Sequence, residues 1–160
     1  MLSFKSAIAT IVVPGMACFV VPYYILTATH VPFSTPVDIL HVMAIFVACL
    51  GLSMVVWFST AFVRRGQGTP IPIAPPTRLV VSRLYCYVRN PMYVGALLII
   101  LAEAVYFRSG WLVLYAFAIW AALHIALVIF EEPQLKIRFG ADYEQYVKTV
   151  PRWIPKMRSR

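Results

Sequence analysis

Residues 91–130 read PMYVGALLIILAEAVYFRSGWLVLYAFAIWAALHIALVIF, two apolar runs joined by Arg108-Ser109-Gly110. A helix needs about 20 mostly apolar residues to cross a bilayer, and the two runs approach or meet that length over residues 91–107 and 111–130. Because the connection between the runs is short, the sequence predicts a tight antiparallel pair of transmembrane helices.

Two further apolar runs precede this hairpin, at residues 6–28 and 37–63. Pro14 and Pro22 interrupt the first run, but membrane helices tolerate proline. The chain of 160 residues is 61% hydrophobic and 12% charged, whereas soluble domains are about 25% charged. This composition excludes a soluble globular domain, a disordered chain and a disulfide-rich secreted scaffold. We therefore predict an all-α integral membrane protein, a single domain over residues 1–160, with about four transmembrane helices.

The charge distribution predicts the orientation of these helices. The formal net charge is +8, and the basic residues flank apolar runs, so the predicted partners are membrane lipids rather than nucleic acid. With four spans, every Lys and Arg except Arg108 lies on one side, which the positive-inside rule places in the cytoplasm. The loop 64–90, the C-terminal segment 131–160 and both termini are then cytoplasmic. The three cysteines fit neither a disulfide framework nor a metal site, so no metal is predicted.

One polar cluster lies where the third span begins, around Arg89-Asn90-Pro91. Asn90 is a favoured N-cap residue and Pro91 suits the first helical position. The free N–H groups and the positive dipole end of that helix, together with Arg89, suit an anion such as a carboxylate. Gly95 would let another helix or a ligand approach closely. The alternative is a capped membrane helix with an interfacial arginine and an aromatic belt.

A second cluster, Glu131-Glu132-Pro133, ends the fourth span. Two carboxylates at a helix C-terminus oppose the helix dipole, so another group should compensate them. Lys136 and Arg138 are candidates at helical spacing, and a bound ligand is the other possibility. Proline disfavours helix at the residue before it, so we expect the helix to stop at Glu132.

Two ionisable residues lie deeper in the spans. His124 precedes Glu131 by two helical turns on the same face, and it is either a functional group or a hydrogen-bonded packing histidine. Glu103 lies in the third span on the opposite side from these clusters, near Arg108. For Glu103 we favour a local ion pair or a bundle contact over catalysis.

A third cluster follows Gly140, where Tyr143, Tyr146, Val147 and Val150 recur at helical spacing. This pattern predicts a short amphipathic helix at the cytoplasmic surface. Its aromatic face either anchors in lipid headgroups or closes over a pocket.

These clusters, in this order, resemble the isoprenylcysteine carboxyl methyltransferase family, which is related to the phospholipid methyltransferases. The motifs that carry the resemblance are Tyr85-x-Tyr87-Val88-Arg89-Asn90-Pro91-Met92-Tyr93-Val94-Gly95, Glu131-Glu132-Pro133-x-Leu135 and Phe139-Gly140-x-x-Tyr143-x-x-Tyr146-x-x-x-Val150-Pro151-Arg152-x-x-Pro155. The resemblance implies an integral membrane enzyme that transfers a methyl group from S-adenosylmethionine to a lipophilic acceptor arriving from the bilayer. The minimal four-span form also suggests a prokaryotic inner membrane.

The resemblance also implies roles for individual residues. The cofactor-binding residues it implies are Tyr85, Arg89, Asn90, Pro91, Met92, Tyr93, Glu131 and Glu132. Of the two glutamates, Glu131 is favoured for the cofactor contact. The candidate catalytic residues are Glu131, Arg89 and His124, and the hypothesis for His124 is that it assists deprotonation of the acceptor.

Two departures from the family pattern leave the acceptor open. Asn90 stands where the eukaryotic carboxyl methyltransferases carry histidine, and residues 126–128 contain no arginine for a substrate carboxylate. The acceptor group is therefore a carboxylate, an amine, a phenol or a thiol. A nicotinamide-dependent membrane reductase of the sterol-reductase type and a non-catalytic lipid-binding or scaffold protein are the alternative functions. The oligomeric state is not predicted.

Overall fold

The computed structural model of the chain describes residues 12–33, 36–65 and 83–155. Within these ranges the chain is helical and has no strand. We number the helices in chain order: α1 Val12–Ala28, α2 Ile39–Arg65, α3 Pro91–Tyr106, α4 Gly110–Ala126 and α5 Glu132–Thr149. Short turns of other helical types occur at Met16–Val20, Arg83–Cys86 and Leu127–Glu131.

The helices are apolar enough for a membrane environment. Ile39–Trp57 and the continuous helix Gly110–Thr149 have the length and composition needed to cross a membrane, and α1 and α3 are shorter apolar helices. Large hydrophobic side chains such as Phe46 and Phe117 are exposed on the outer surface. An all-helical chain with an apolar exterior is what a bilayer requires. Residues 6–11 of the first predicted span and residues 66–82 of the predicted loop lie outside the described residues.

Two glycines allow α2 and α3 to cross closely. A Cβ atom placed on Gly51 would lie 2.6 Å from the carbonyl oxygen of Gly95, and a Cβ atom on Gly95 would lie 2.8 Å from that of Gly51. Neither distance is compatible with a side chain, so the two backbones are in direct contact. The prediction that Gly95 permits close approach is therefore confirmed, and its partner is a neighbouring helix.

The core lies between α1, α3 and α4. One buried cluster contains Cys18, Ile99, Ile100 and Ala116, and a second contains Leu26, Ala104 and Leu112. The hydroxyl of Tyr115 also donates a hydrogen bond to the carbonyl oxygen of Ala17 at 2.9 Å. These contacts fix α3 and α4 as a packed hairpin against α1.

The turn between α3 and α4 carries an ion pair that differs from the predicted one. Arg108 pairs with Asp38, which precedes α2, and Asp38 Oδ1 also lies 2.7 Å from Nδ1 of the buried His41. The hydrogen bond from His41, and then the charge of Arg108, hold the pKa of Asp38 below its usual value. Glu103 makes no ion pair with Arg108, so the other predicted role, a bundle contact, stays a prediction. Its Oε2 atom is buried without a hydrogen-bond partner among the described residues.

The helix does not stop at Glu132, contrary to the sequence prediction. A π-helical turn at Leu127–Glu131 leads directly into α5, and Pro133 lies in the first turn of α5. Proline is tolerated there because the π-helical turn just before it adjusts the backbone, and such local adjustments accommodate the missing N–H of a proline within a helix. The chain bends instead at Gly140, whose φ of 54° and ψ of −128° interrupt the helical backbone.

Candidate active site

The three polar clusters of the sequence meet at one end of the helix bundle. The hydroxyl of Tyr146 in α5 donates to the carbonyl oxygen of Tyr85 at 2.9 Å. The backbone N–H of Arg89 donates to the carbonyl oxygen of Pro151 at 2.9 Å. The segment before α3, the end of α4, α5 and the residues after α5 therefore form one site. We call residues 150–155, which cross this end, the C-terminal strap.

Glu132 lies at the centre of a charged network. Its Oε1 atom accepts hydrogen bonds from Arg89 Nη1 at 2.9 Å and from Arg152 Nε at 2.7 Å. Its Oε2 atom accepts from Arg152 Nη2 at 2.8 Å. Two guanidinium groups therefore compensate the carboxylate of Glu132, the first residue of α5.

The compensating cations come from distant parts of the sequence. Lys136, expected at helical spacing, pairs instead with the exposed Glu144 at 2.9 Å. Arg138 lies over the ring of Phe139. Arg152 was not assigned a role from the sequence. The available signal was the excess of negative charge at Glu131-Glu132, which requires a cation without saying which one.

Glu131 differs from its neighbour. It is half-buried, and its side chain takes part in no hydrogen bond or ion pair among the described residues. Burial, and then the negative charge of Glu131, raise the pKa of the Tyr85 phenol, which therefore stays protonated. Tyr93 also lies within electrostatic reach of Glu131. The structure thus brings an uncompensated carboxylate together with two tyrosines.

The start of α3 has free donors at the same end. Pro91 occupies the first helical position and Asn90 the N-cap position, as predicted, but the Asn90 side chain makes no capping hydrogen bond. The Nδ2 atom of Asn90 donates instead to the carbonyl oxygen of Arg152 in the strap, at 3.4 Å. The Nε atom of Arg89 is buried without a hydrogen-bond partner in the described part of the chain. An anion suits this combination of helix N–H groups and guanidinium. Met92 follows within the first turn and is half-buried.

His124 is held between two tryptophans. The Nε1–H of Trp153 donates to His124 Nδ1 at 3.2 Å, and the Trp120 and His124 rings stack with centroids 5.5 Å apart. Because Nδ1 accepts this bond, the neutral ring carries its proton on Nε2 and has no second acceptor nitrogen. This geometry favours the packing interpretation of His124 over a role in deprotonation.

The aromatic face of α5 turns toward the protein. Tyr143, Tyr146 and Val150 form a buried cluster, and the partly buried side chains packed against it are Leu135, Phe139 and Val147. Because Tyr146 also bonds to the backbone of Tyr85, this face closes over the site and does not point into lipid headgroups.

A family model described as phospholipid methyltransferase matches residues 39–142. This range contains α2, α3, α4, both adjacent glutamates and the first part of α5, and it covers more than half of the chain. No curated protein and no solved structure gives a significant match. The matched range includes the Arg89-Asn90-Pro91 and Glu131-Glu132 clusters, whose side chains meet at one end of the bundle. The chain belongs to the phospholipid methyltransferase family.

Proposed function

We propose that this protein transfers a methyl group from S-adenosylmethionine to a lipophilic acceptor embedded in the membrane. Membership of the phospholipid methyltransferase family supports methyl transfer over the reductase and scaffold alternatives. The observation that carries the proposal is the unequal pair of glutamates: Glu132 is compensated by two arginines, whereas Glu131 has no such partner.

This arrangement suits a zwitterionic ligand with additional positive charge. The free N–H groups at the start of α3 and the Nε atom of Arg89 are donors for the carboxylate of the cofactor. Glu131 is an acceptor for an ammonium group or for ribose hydroxyls. Asn90, Pro91, Met92 and Tyr93 belong to the same end of α3 and would line the cofactor site.

We also propose a four-span topology with both termini in the cytoplasm. α1 and α3 are shorter than the other two apolar helices, but both pack within the apolar bundle. The bias of Lys and Arg toward one side of the four predicted spans supports the orientation. In this topology α5 and the strap lie at the cytoplasmic surface of a multi-pass protein, which family resemblance assigns to a prokaryotic inner membrane.

The methyl-transfer step itself requires little acid–base chemistry from the protein. When bound, S-adenosylmethionine supplies an electrophilic methyl group and a neutral thioether leaving group. The chain's own residues would hold the donor and acceptor in line, which is an effect of proximity and orientation. The buried tyrosines of the site end would limit water around the reacting groups.

The family description makes a phospholipid amine the first acceptor to examine. Such an amine arrives as an ammonium near neutral pH and must lose a proton before it accepts a methyl group. Glu131 is free to interact with that ammonium, whereas Glu132 is bound by Arg89 and Arg152, and His124 Nδ1 accepts from Trp153.

Transfer of labelled methyl from S-adenosylmethionine into lipid vesicles tests this function. We expect the purified protein to label vesicles containing phosphatidylethanolamine and to leave phosphatidylglycerol vesicles unlabelled. Glu131→Gln should lower turnover by at least about 100-fold, as expected when a group that contacts the reacting molecules is removed. Glu144→Gln, a matched change in an exposed carboxylate of α5, should leave turnover unchanged.

Two results would contradict the proposal. One is a folded protein that labels no extracted lipid and binds a nicotinamide cofactor. The other is equal turnover of the wild type and Glu131→Gln.

A further inference from the structure

The C-terminal strap contacts the residues immediately before α3 directly at two points and indirectly at a third. Pro151 accepts the backbone N–H of Arg89 at 2.9 Å, and the carbonyl oxygen of Arg152 lies 3.4 Å from Asn90 Nδ2. The Arg152 side chain reaches Arg89 indirectly, because both guanidinium groups share Glu132. The strap lies beyond the residues that the family model matches.

We infer that Arg152 is a positioning residue for the proposed cofactor site, acting through Glu132 on Arg89 and the start of α3. This inference rests on the proposed function and extends it to a segment with no assigned role. It also separates the two glutamates: Glu131 contacts ligand, whereas Glu132 holds the arginine that does so.

The hydrogen bonds of Glu132 support this division. The carboxylate accepts three hydrogen bonds from two guanidinium groups, and both of its oxygens are engaged by Arg152. The side chain of Arg89 is 11% exposed and that of Glu132 is 20% exposed, so the pair is shielded from water. Paired charges in such surroundings hold a defined geometry, because loss of one partner leaves the other uncompensated.

Some hydrogen-bond donors of Arg89 are therefore bound to the protein, and one remains available to a ligand. Its Nη1 atom is bound to Glu132, and its backbone N–H is bound to the strap, while its Nε atom is buried without a partner among the described residues. If Arg152 is removed, Glu132 and Arg89 can adopt other geometries, and the Nε donor loses its fixed position.

A second anchor of the strap is independent of charge. Trp153 donates to His124 Nδ1 at 3.2 Å and its ring lies 6.2 Å from that of Trp120. This contact holds the strap on α4, on the other side from Glu132. Trp153→Phe removes the hydrogen bond, retains an aromatic ring and leaves the Arg152–Glu132 pair in place.

Two measurements on the full-length purified protein test the inference. The first is the Kd for S-adenosylhomocysteine, by calorimetry, of Arg152→Met, Arg152→Lys and the control Lys136→Met. Lys136 is an exposed cation of α5 paired with Glu144, so its removal matches the loss of charge without touching the network. The second is amide hydrogen exchange of residues 85–95 in the absence of any ligand.

We expect Arg152→Met to weaken binding about tenfold or more, Arg152→Lys to weaken it less, and Lys136→Met to change it less than twofold. In a Glu132→Gln background, Arg152→Met should add little, because both changes break the same network. Exchange should rise over residues 85–95 in Arg152→Met and stay unchanged in Lys136→Met. A merely structural contribution would lower the melting temperature of Arg152→Met and leave the Kd of the folded protein unchanged.

The inference is overturned if folded Arg152→Met binds with the wild-type Kd, or if its effect adds fully to that of Glu132→Gln. Arg152→Lys keeps the positive charge and provides the same comparison if Arg152→Met does not fold. Absence of binding by the wild type would reject the proposed function. In that case, amide hydrogen exchange over residues 85–95, compared between the wild type and Arg152→Met, would decide whether Arg152 positions this segment.

Discussion

The charged side chains at the two ends of the α3–α4 hairpin are paired differently. At the turn between α3 and α4, Arg108 pairs with Asp38, and Asp38 also binds His41. At the opposite end, Glu132 is bound by Arg89 and Arg152, but neighbouring Glu131 and the Nε atom of Arg89 have no partner among the described residues. At the turn Arg108 and Asp38 pair with each other, although Glu103 in the last turn of α3 keeps a buried oxygen without a partner among the described residues. At the opposite end a carboxylate and a guanidinium N–H are both left for the proposed ligand.

The largest effect is expected from a change in the close crossing of α2 and α3, which holds the two ends in place. Gly95→Ala places a Cβ atom 2.8 Å from the carbonyl oxygen of Gly51, so α2 and α3 must separate. We expect a loss of about 1–3 kcal/mol in stability, as for overpacked cores, together with loss of activity. Thermal unfolding in detergent measures it. Gly15→Ala, where nothing lies within 4 Å, is the control, and equal melting temperatures of the two variants would refute the close crossing.

A smaller and local effect is expected from Arg89→Lys. Lysine keeps the positive charge but lacks the planar fork that binds Glu132 and the additional Nε donor. We predict a 10–100-fold loss in kcat/KM for the methyl donor, with little change in melting temperature, from steady-state kinetics at saturating acceptor. An unchanged kcat/KM would show that this end does not differ functionally from the turn.

His124→Gln should have a modest effect. The structure gives His124 a hydrogen bond from Trp153 and no free acceptor nitrogen, so its removal costs about 0.5–1.5 kcal/mol of stability, the usual value for one hydrogen bond. We predict that the pH–rate profile keeps its shape. Loss of the ascending limb of the pH–rate profile in His124→Gln would mean that His124 is the base that deprotonates the acceptor.

The smallest effect is expected at the turn. Asp38→Asn breaks an exposed ion pair with Arg108, and exposed pairs are largely screened by solvent. Methyl transfer should be unchanged and the melting temperature should fall slightly. A loss of turnover comparable with that of Arg89→Lys would remove the distinction between the two ends.

Helix positions were largely predictable from the sequence. The apolar runs at residues 37–63 and 91–107 correspond to α2 and α3 within about two residues, because hydrophobic length and Pro91 mark their bounds. The continuation through Pro133 was not predictable from local rules. A π-helical turn places that proline where its missing donor does no harm.

The composition of the site was predictable, but its pairings were not. Motifs identify Arg89 and the two glutamates. The sequence does not show that Glu132 forms ion pairs with both arginines or that Glu131 pairs with neither of them. Arg152 is 20 residues from Glu132 along the chain, and Arg89 is 43 residues away. Such contacts depend on the bend at Gly140 and on the path of the strap, which local spacing does not encode.

Calorimetric titration with S-adenosylhomocysteine tests the central claim most directly, that Glu131 is the carboxylate left free for a ligand. The wild type, Glu131→Gln and Glu144→Gln are compared in the same detergent. We predict saturable binding by the wild type and by Glu144→Gln, and a Kd at least about tenfold weaker for Glu131→Gln, which corresponds to about 1.4 kcal/mol. Equal binding by all three folded proteins would contradict the account.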